Sequence, residues 1–343
     1  MGSRATWLLA SLLALSATMA RAEQADPATV LVVANANNAR SIALADYYMW
    51  KRAVPPQNRL LLSCDAADNA DTCSLAFYNS NISAPIYAKI ATLPRIDYIV
   101  LCRNLPVKIT NTAGSVDSAL AGKGTVKRDN PYYGGTPPFS SAATGVYLVT
   151  RLDGWSWGDA FGLVDRGQTH AGSGLFAFDM DPGKTTSFSY KFYNNLMSTA
   201  NAAVAALGLP TVLDNTSTFI RPNAPLGGYI SWGSNDSHYS ATAYTGLVFA
   251  PGAIVETLVS TSASNVRYPG GGQSQISMLV RNGVAGIKGY VAEPMVDATA
   301  RPQILFVRYA QGANLAESFY AASPYMAWKD VVLGDPLCAP YAP

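Results

Sequence analysis

The sequence predicts an α/β fold, a predominantly parallel sheet flanked by helices in three layers. Short β-branched apolar runs alternate with stretches of helical periodicity from residue 29 onward, the rhythm of repeated βαβ units. The strand-like runs are unbroken rather than alternating, as they are when a strand is buried on both faces. Several end abruptly in Asn, Asp, Ser or Gly, the loop chemistry that collects at the carboxyl ends of parallel strands.

Taken in order, Thr29 to Ala34 (TVLVVA) reads as a buried strand that turns at Asn35-Ala36-Asn37-Asn38. Ser41 is expected to cap a helix through about Arg52, stopped by Val54-Pro55-Pro56. Arg59 to Leu62 is a second strand, a helix opens at Ser83 or Pro85 and closes at Pro94, and Asp97 to Cys102 is a third strand. Between Thr110 and Thr144 the pattern fades into Gly, Ser, Pro and Asn, so a loop insertion is expected there. Strands resume at Gly145 to Thr150, followed by a helix from Trp157 to Arg166, a strand at Gly174 to Phe178 and a long helix from Ser187 to Leu207. Thr211 to Leu213, the run entering Gly227 to Asp236, Ala253 to Val259 and Val284 to Val291 are further strands, with a helix from about Ser274 to Arg281. Helical patterns over Pro302 to Ala310 and Leu315 to Ala321 precede Val331-Val332-Leu333.

Residues 1–22 carry Arg4, an apolar run from Trp7 to Leu15 and an Ala20-Arg21-Ala22 cleavage pattern, which reads as a secretory signal peptide. Residues 23–343 are then expected to form a single α/β domain, exported to the periplasm or the extracellular space. No later run approaches the roughly 20 apolar residues of a membrane span. The balance of 24 Lys+Arg against 22 Asp+Glu loses Arg4 and Arg21 on cleavage, leaving 22 against 22. Near-neutrality leaves no electrostatic footprint for nucleic acid. An even count of four cysteines, Cys64, Cys73, Cys102 and Cys338, leads us to expect disulfides in an oxidising compartment, their pairing left open. No Cys/His cluster suggests structural zinc, and neither a metal nor a cofactor is expected.

The motifs Arg151-Leu152-Asp153-Gly154, Ser231-Trp232-Gly233-Ser234-Asn235-Asp236, Gly289-Tyr290-Val291-Ala292-Glu293-Pro294, Ala316-Glu317-Ser318 and Gly334-Asp335-Pro336-Leu337 together resemble an uncharacterised family of exported bacterial proteins. That family is distantly similar to gingipain-like cysteine peptidases, and the resemblance implies a caspase-haemoglobinase fold. It also implies a base His after one strand and a nucleophilic Cys after the next. Here Trp232 or its neighbours stand in the first place and Ser260, Thr261 or Ser262 in the second. A thiolate-imidazole dyad has neither partner, so cysteine proteolysis is not expected.

Three functions fit these residues. The first is an exported pseudoenzyme binding an unidentified peptide, glycan or small molecule around residues 232–236, with Trp232, Asn235, Glu293, Arg151 and Asp153 as candidate ligand-binding residues. Loop aromatics stack on sugars or clamp peptides, and Arg151 could take a carboxylate in bidentate fashion. The second is a serine hydrolase using Ser260 or Ser262 with His238, one of only two histidines, oriented by Asp236. The third is a non-catalytic structural protein of the cell envelope. Were Asp153, Asp179, Asp236, Glu293 and Asp335 to converge, a divalent cation or a sugar-like ligand would suit them. Asp179 and Asp335 read better as turn residues.

Overall fold

The computed structural model of the chain describes residues 26–112, 114–267 and 272–342. The expected signal peptide lies outside the described residues, as do Gly270 and Gly271 of the Gly-rich turn. A ten-stranded sheet runs through the molecule. Its strands in chain order are β1 (Val30–Asn35), β2 (Arg59–Leu62), β3 (Tyr98–Cys102), β4 (Leu148–Leu152), β5 (Leu175–Asp179), β6 (Thr211–Asp214), β7 (Leu226–Ser231), β8 (Phe249–Thr257), β9 (Gly286–Tyr290) and β10 (Asp330–Gly334).

In space the order is β6-β5-β7-β8-β9-β10-β4-β3-β1-β2. Neighbours are parallel from β6 through β9 and again from β4 through β2. Strand β10 lies between the two sets, antiparallel to β9 and registered on β4 through Leu333 and Arg151. The mostly parallel α/β architecture is the one expected.

Helices cover both faces. On one, α1 (Ala39–Arg52), α4 (Trp157–Gly167) and α6 (Ile276–Arg281) pack in a row; on the other, α5 (Phe188–Ala206), α7 (Pro302–Ala310) and α8 (Leu315–Ala322) do. Short helices α2 (Ala84–Ile90) and α3 (Val116–Gly122) complete the set used below. This two-sided cover is why Val30 to Ala34 are all fully buried, each Val or Leu so buried stabilising the fold by roughly 1.5–3 kcal/mol. No described helix is long and apolar enough to cross a membrane.

Three expectations need correction. The cap of α1 is Asn38, whose side chain accepts the Arg40 and Ser41 N–H groups. Ser41 instead accepts the Asn35 N–H at 3.0 Å and donates to the Arg103 carbonyl at 2.7 Å. The segment near 110–144 is not a loop insertion, for it contains α3, buried along its whole length against β4 and β10. Asn130 anchors the following stretch by donating to the Tyr320 and Ser323 carbonyls, both at 2.8 Å. Finally, no disulfide forms: all four cysteines are buried free thiols. Cys338, for example, lies 3.3 Å from the Tyr309 hydroxyl in the core rather than bonded to Cys102.

Candidate functional site

Because β7, β8 and β9 are adjacent and parallel, their carboxyl ends open onto one edge of the sheet. A cleft of about 740 Å³ lies there. Trp232, Asn235, Ser260 and Glu293 all line it, together with Lys184 from the turn before α5 and Tyr190 from its first turn. Four of the residues singled out from the sequence therefore share one rim.

The turn after β7 is held close to the loop after β8. Gly233 sits at φ +51°, and a Cβ there would come within 2.6 Å of Val259 Cγ2 and 2.9 Å of Ser274 Oγ. Only glycine fits without displacement. Across that approach the Asn235 amide donates to the Leu258 carbonyl at 2.7 Å and accepts from Gln273 Nε2 at 3.0 Å. Gln273 Oε1 in turn accepts both the N–H and the hydroxyl of Thr261. Asn235 thus braces the wall of the cleft with both ends of its amide engaged.

Trp232 is 2% exposed, its indole N–H donating to Asn194 Oδ1 at 2.8 Å. Its ring meets Tyr190 edge-on at 5.2 Å. The Lys184 ammonium lies 5.4 Å from the centroid of each of these rings, in cation–π range. Among the described residues Lys184 has no carboxylate partner within 4.0 Å, and the same holds for Glu293 with respect to cations. Glu293 is exposed, with Oε1 accepting the Met295 N–H at 2.8 Å. Met295, 63% exposed, lines the opening.

A buried polar group not singled out from the sequence lies on the strands leading to the cleft. Glu256 of β8 is fully buried, its Oε1 accepting from the Tyr290 hydroxyl at 3.1 Å and the Thr257 N–H at 3.2 Å. Burial pushes its carboxyl up to about 8, with Lys288 opposing the rise. Lys288 of β9 donates to Ser323 Oγ at 2.6 Å and lies 3.7 Å from Asp330. The signal was available in principle, since each is a lone charge inside an otherwise apolar strand run.

Other expected site residues are elsewhere. Arg151 is fully buried and makes a bidentate pair with Asp117, at 3.1 and 2.7 Å, while donating to the Leu105 and Pro106 carbonyls. Asp153 is fully buried between Arg103 and Arg267. Burial alone would raise its carboxyl, but Arg267, Arg103 and Arg151 outweigh this and hold it below its ordinary value. Both residues are internal braces, which corrects their expected place in a ligand site. Asp335 is likewise buried, accepting from Tyr48, Arg52 and the Leu337 N–H.

The serine-hydrolase arrangement is not assembled. Ser262 is fully buried, with its hydroxyl 3.3 Å from the Tyr290 N–H it accepts, so it cannot meet a substrate. Ser260 does line the cleft, but His238 Nδ1 lies against Ser237 Oγ at 3.1 Å and Asp236 Oδ1 at 3.5 Å. No described hydrogen bond joins His238 to either serine, and neither Asp236 nor His238 lines the cleft. Asp236 belongs instead to a second group with Asp181 and His238.

Cysteine chemistry has no nucleophile at this edge either. Desolvation pushes the thiols of Cys64 and Cys338 up to about 12 and that of Cys73 to about 11, and raises Cys102 as well. A thiol so shifted carries almost no thiolate near neutrality.

No family model matches the chain, and no curated protein matches it. The family resemblance therefore stands on its motifs alone. A solved structure described as "Structure of Protease" aligns with 92% of this chain and 79% of its own at 13% identity and a TM-score of 0.47, a likeness that carries no argument about activity. What fold and site define is an α/β protein with an aromatic-lined, doubly charged cleft at its strand ends.

Proposed function

We propose that this chain is an exported binding protein on a peptidase-like scaffold of caspase-haemoglobinase type that lacks the Cys-His dyad, and that it holds a ligand in the cleft formed by β7, β8 and β9. The observation that carries this is that Trp232, Tyr190, Lys184, Ser260 and Glu293 all line a single 740 Å³ space, with the Lys184 ammonium beside both rings. A few polar groups placed around an aromatic surface, in a cleft of several hundred Å³, is the usual make-up of a ligand site. Unpaired charge of both signs in the same cleft suits a ligand bearing both, and a short peptide segment answers that description better than a neutral glycan.

The test is a screen of the purified protein against a labelled hexapeptide library and a glycan array. Peptide hits are expected to weaken by about tenfold, or ~1.4 kcal/mol, in Lys184→Ala and in Glu293→Gln. Hits indifferent to both substitutions, or none from either collection, would reject the cleft as the site. Export is tested separately by finding the mature chain in a periplasmic or culture-medium fraction with residues 1–22 removed.

A further inference from the structure

Beside the cleft, on the side away from β8, Asp181 and Asp236 approach each other from the ends of β5 and β7. One ligand atom each from Asp181, Asp236 and His238 lies within 4.8 Å of the other two. We propose that these three side chains hold a divalent transition-metal cation of the Zn²⁺ or Mn²⁺ class. The site is separate from the ligand cleft, and the proposal does not depend on that reading.

The two carboxylates carry charge that no described cation touches. The residues Asp181 and Asp236 are 1% and 7% exposed, yet among the described residues no Lys or Arg comes within 4.0 Å of either carboxylate. Buried carboxylates are ordinarily paired with a cation or bound to a metal. Asp153, by contrast, has two guanidinium partners within 3.0 Å.

One carboxylate oxygen of the trio is left open for a metal. Asp236, whose side chain is 3% exposed, accepts the His238 N–H through Oδ1 at 2.6 Å, while its Oδ2 takes no hydrogen bond from any described residue. A cation bound by the trio would supply a counter-charge in direct contact.

The donor set selects the class of ion. Two carboxylates and one imidazole suit Zn²⁺ or Mn²⁺, whereas Ca²⁺ and Mg²⁺ prefer sites of oxygen alone. The imidazole is 37% exposed, which gives the ion a way in and leaves coordination positions for water. Other contacts already hold the ligands in place. Asp181 accepts the Gly183 N–H at 2.7 Å and the Ser237 N–H at 3.1 Å, so a cation would tie together the turn carrying Lys184 and the turn following Trp232.

The experiment is calorimetric titration of the full, EDTA-stripped chain with ZnCl₂, MnCl₂, CaCl₂ and MgCl₂, supported by the visible spectrum of Co²⁺ added in their place. Zn²⁺ or Mn²⁺ is expected to bind at one equivalent per chain, and Asp236→Asn and His238→Ala are each expected to weaken it by about tenfold or more. His170→Ala, removing the other histidine, should change nothing. Asp236→Asn keeps the acceptor that the His238 N–H needs; should it nevertheless fail to fold, the exposed His238 decides the question. Absence of saturable binding, binding lost in His170→Ala, or binding unaffected by His238→Ala would each overturn the proposal.

Discussion

Arg267 donates to Asp153 Oδ2 through both Nε and Nη2, at 3.0 and 2.9 Å, and so ties the chain that follows Ser260 to the end of β4. Arg103 approaches the other oxygen of the same carboxylate at 2.9 Å, and Arg267 also donates to the Leu105 carbonyl at 2.7 Å. Removing one partner leaves charge buried without compensation, which typically costs about 3–5 kcal/mol. Arg267→Ala is therefore expected to lose stability of that order in urea denaturation and to weaken ligand binding at the cleft by loosening its β8 wall. A loss below about 1 kcal/mol would mean the pair is far better solvated than its burial implies.

Gly233→Ala tests the closeness of the two loops. The new methyl group would meet Val259 and Ser274 at a backbone angle that L-residues seldom adopt, so a cost of about 1–3 kcal/mol is expected. Because Trp232 immediately precedes it, ligand affinity should fall as well. Calorimetric melting read alongside a binding titration checks both effects, and an unchanged melting temperature would contradict the described packing.

The Glu256 carboxyl makes stability depend on pH. Its folded-state value of about 8 lies above the ordinary 4.5, so below about pH 4.5 both states are protonated and the group costs nothing. Between that pH and about 8 the unfolded chain releases a proton that the folded chain keeps, and stability falls as pH rises. Glu256→Gln removes this dependence. The variant is expected to gain about 1–3 kcal/mol relative to the parent between pH 5 and pH 8, measured by urea unfolding at the two pH values. Parallel stability curves would show that Glu256 ionises normally in the folded protein.

The four thiols should be silent in the native state and reactive once the chain unfolds. Each is buried and free, with desolvation holding the proton on sulfur. Titration with a disulfide reagent should find almost no reaction at neutral pH and four equivalents in guanidinium, in line with the sequence count. Intact-mass measurement showing the loss of two or four hydrogens would establish disulfides instead.

The fold could be read from the sequence wherever an apolar run met a clear stop. Arg59–Leu62 and Pro302–Ala310 fall where they were expected, one followed by polar residues and the other opened by Pro302. Helix α3 was hidden because its seven residues are buried on every side, leaving no polar face to reveal a period. The site was legible only as far as the ends of strands. Trp232, Asn235, Ser260 and Glu293 share a cleft because β7, β8 and β9 are neighbours, and that much follows from strand rhythm. Arg151 and Asp153 have the same local appearance, a charge just after an apolar run, but their partners Asp117 and Arg267 lie far along the chain. Sequence spacing does not reveal such pairings. Ser260 and Ser262 differ for a similar reason, one lining the cleft and the other accepting a hydrogen bond from β9. Nothing in the sequence around Asp181 marks it out, since only the approach of the 230s turn gives it company.

The strand Asp330–Gly334 fills the seam between two parallel blocks that are otherwise not joined edge to edge. It is the last of the ten in chain order, and without it the facing edges of β9 and β4 have no strand to pair with. Weakening that one strand would loosen the hydrogen-bonded join between the two blocks while leaving the ladders inside each block intact.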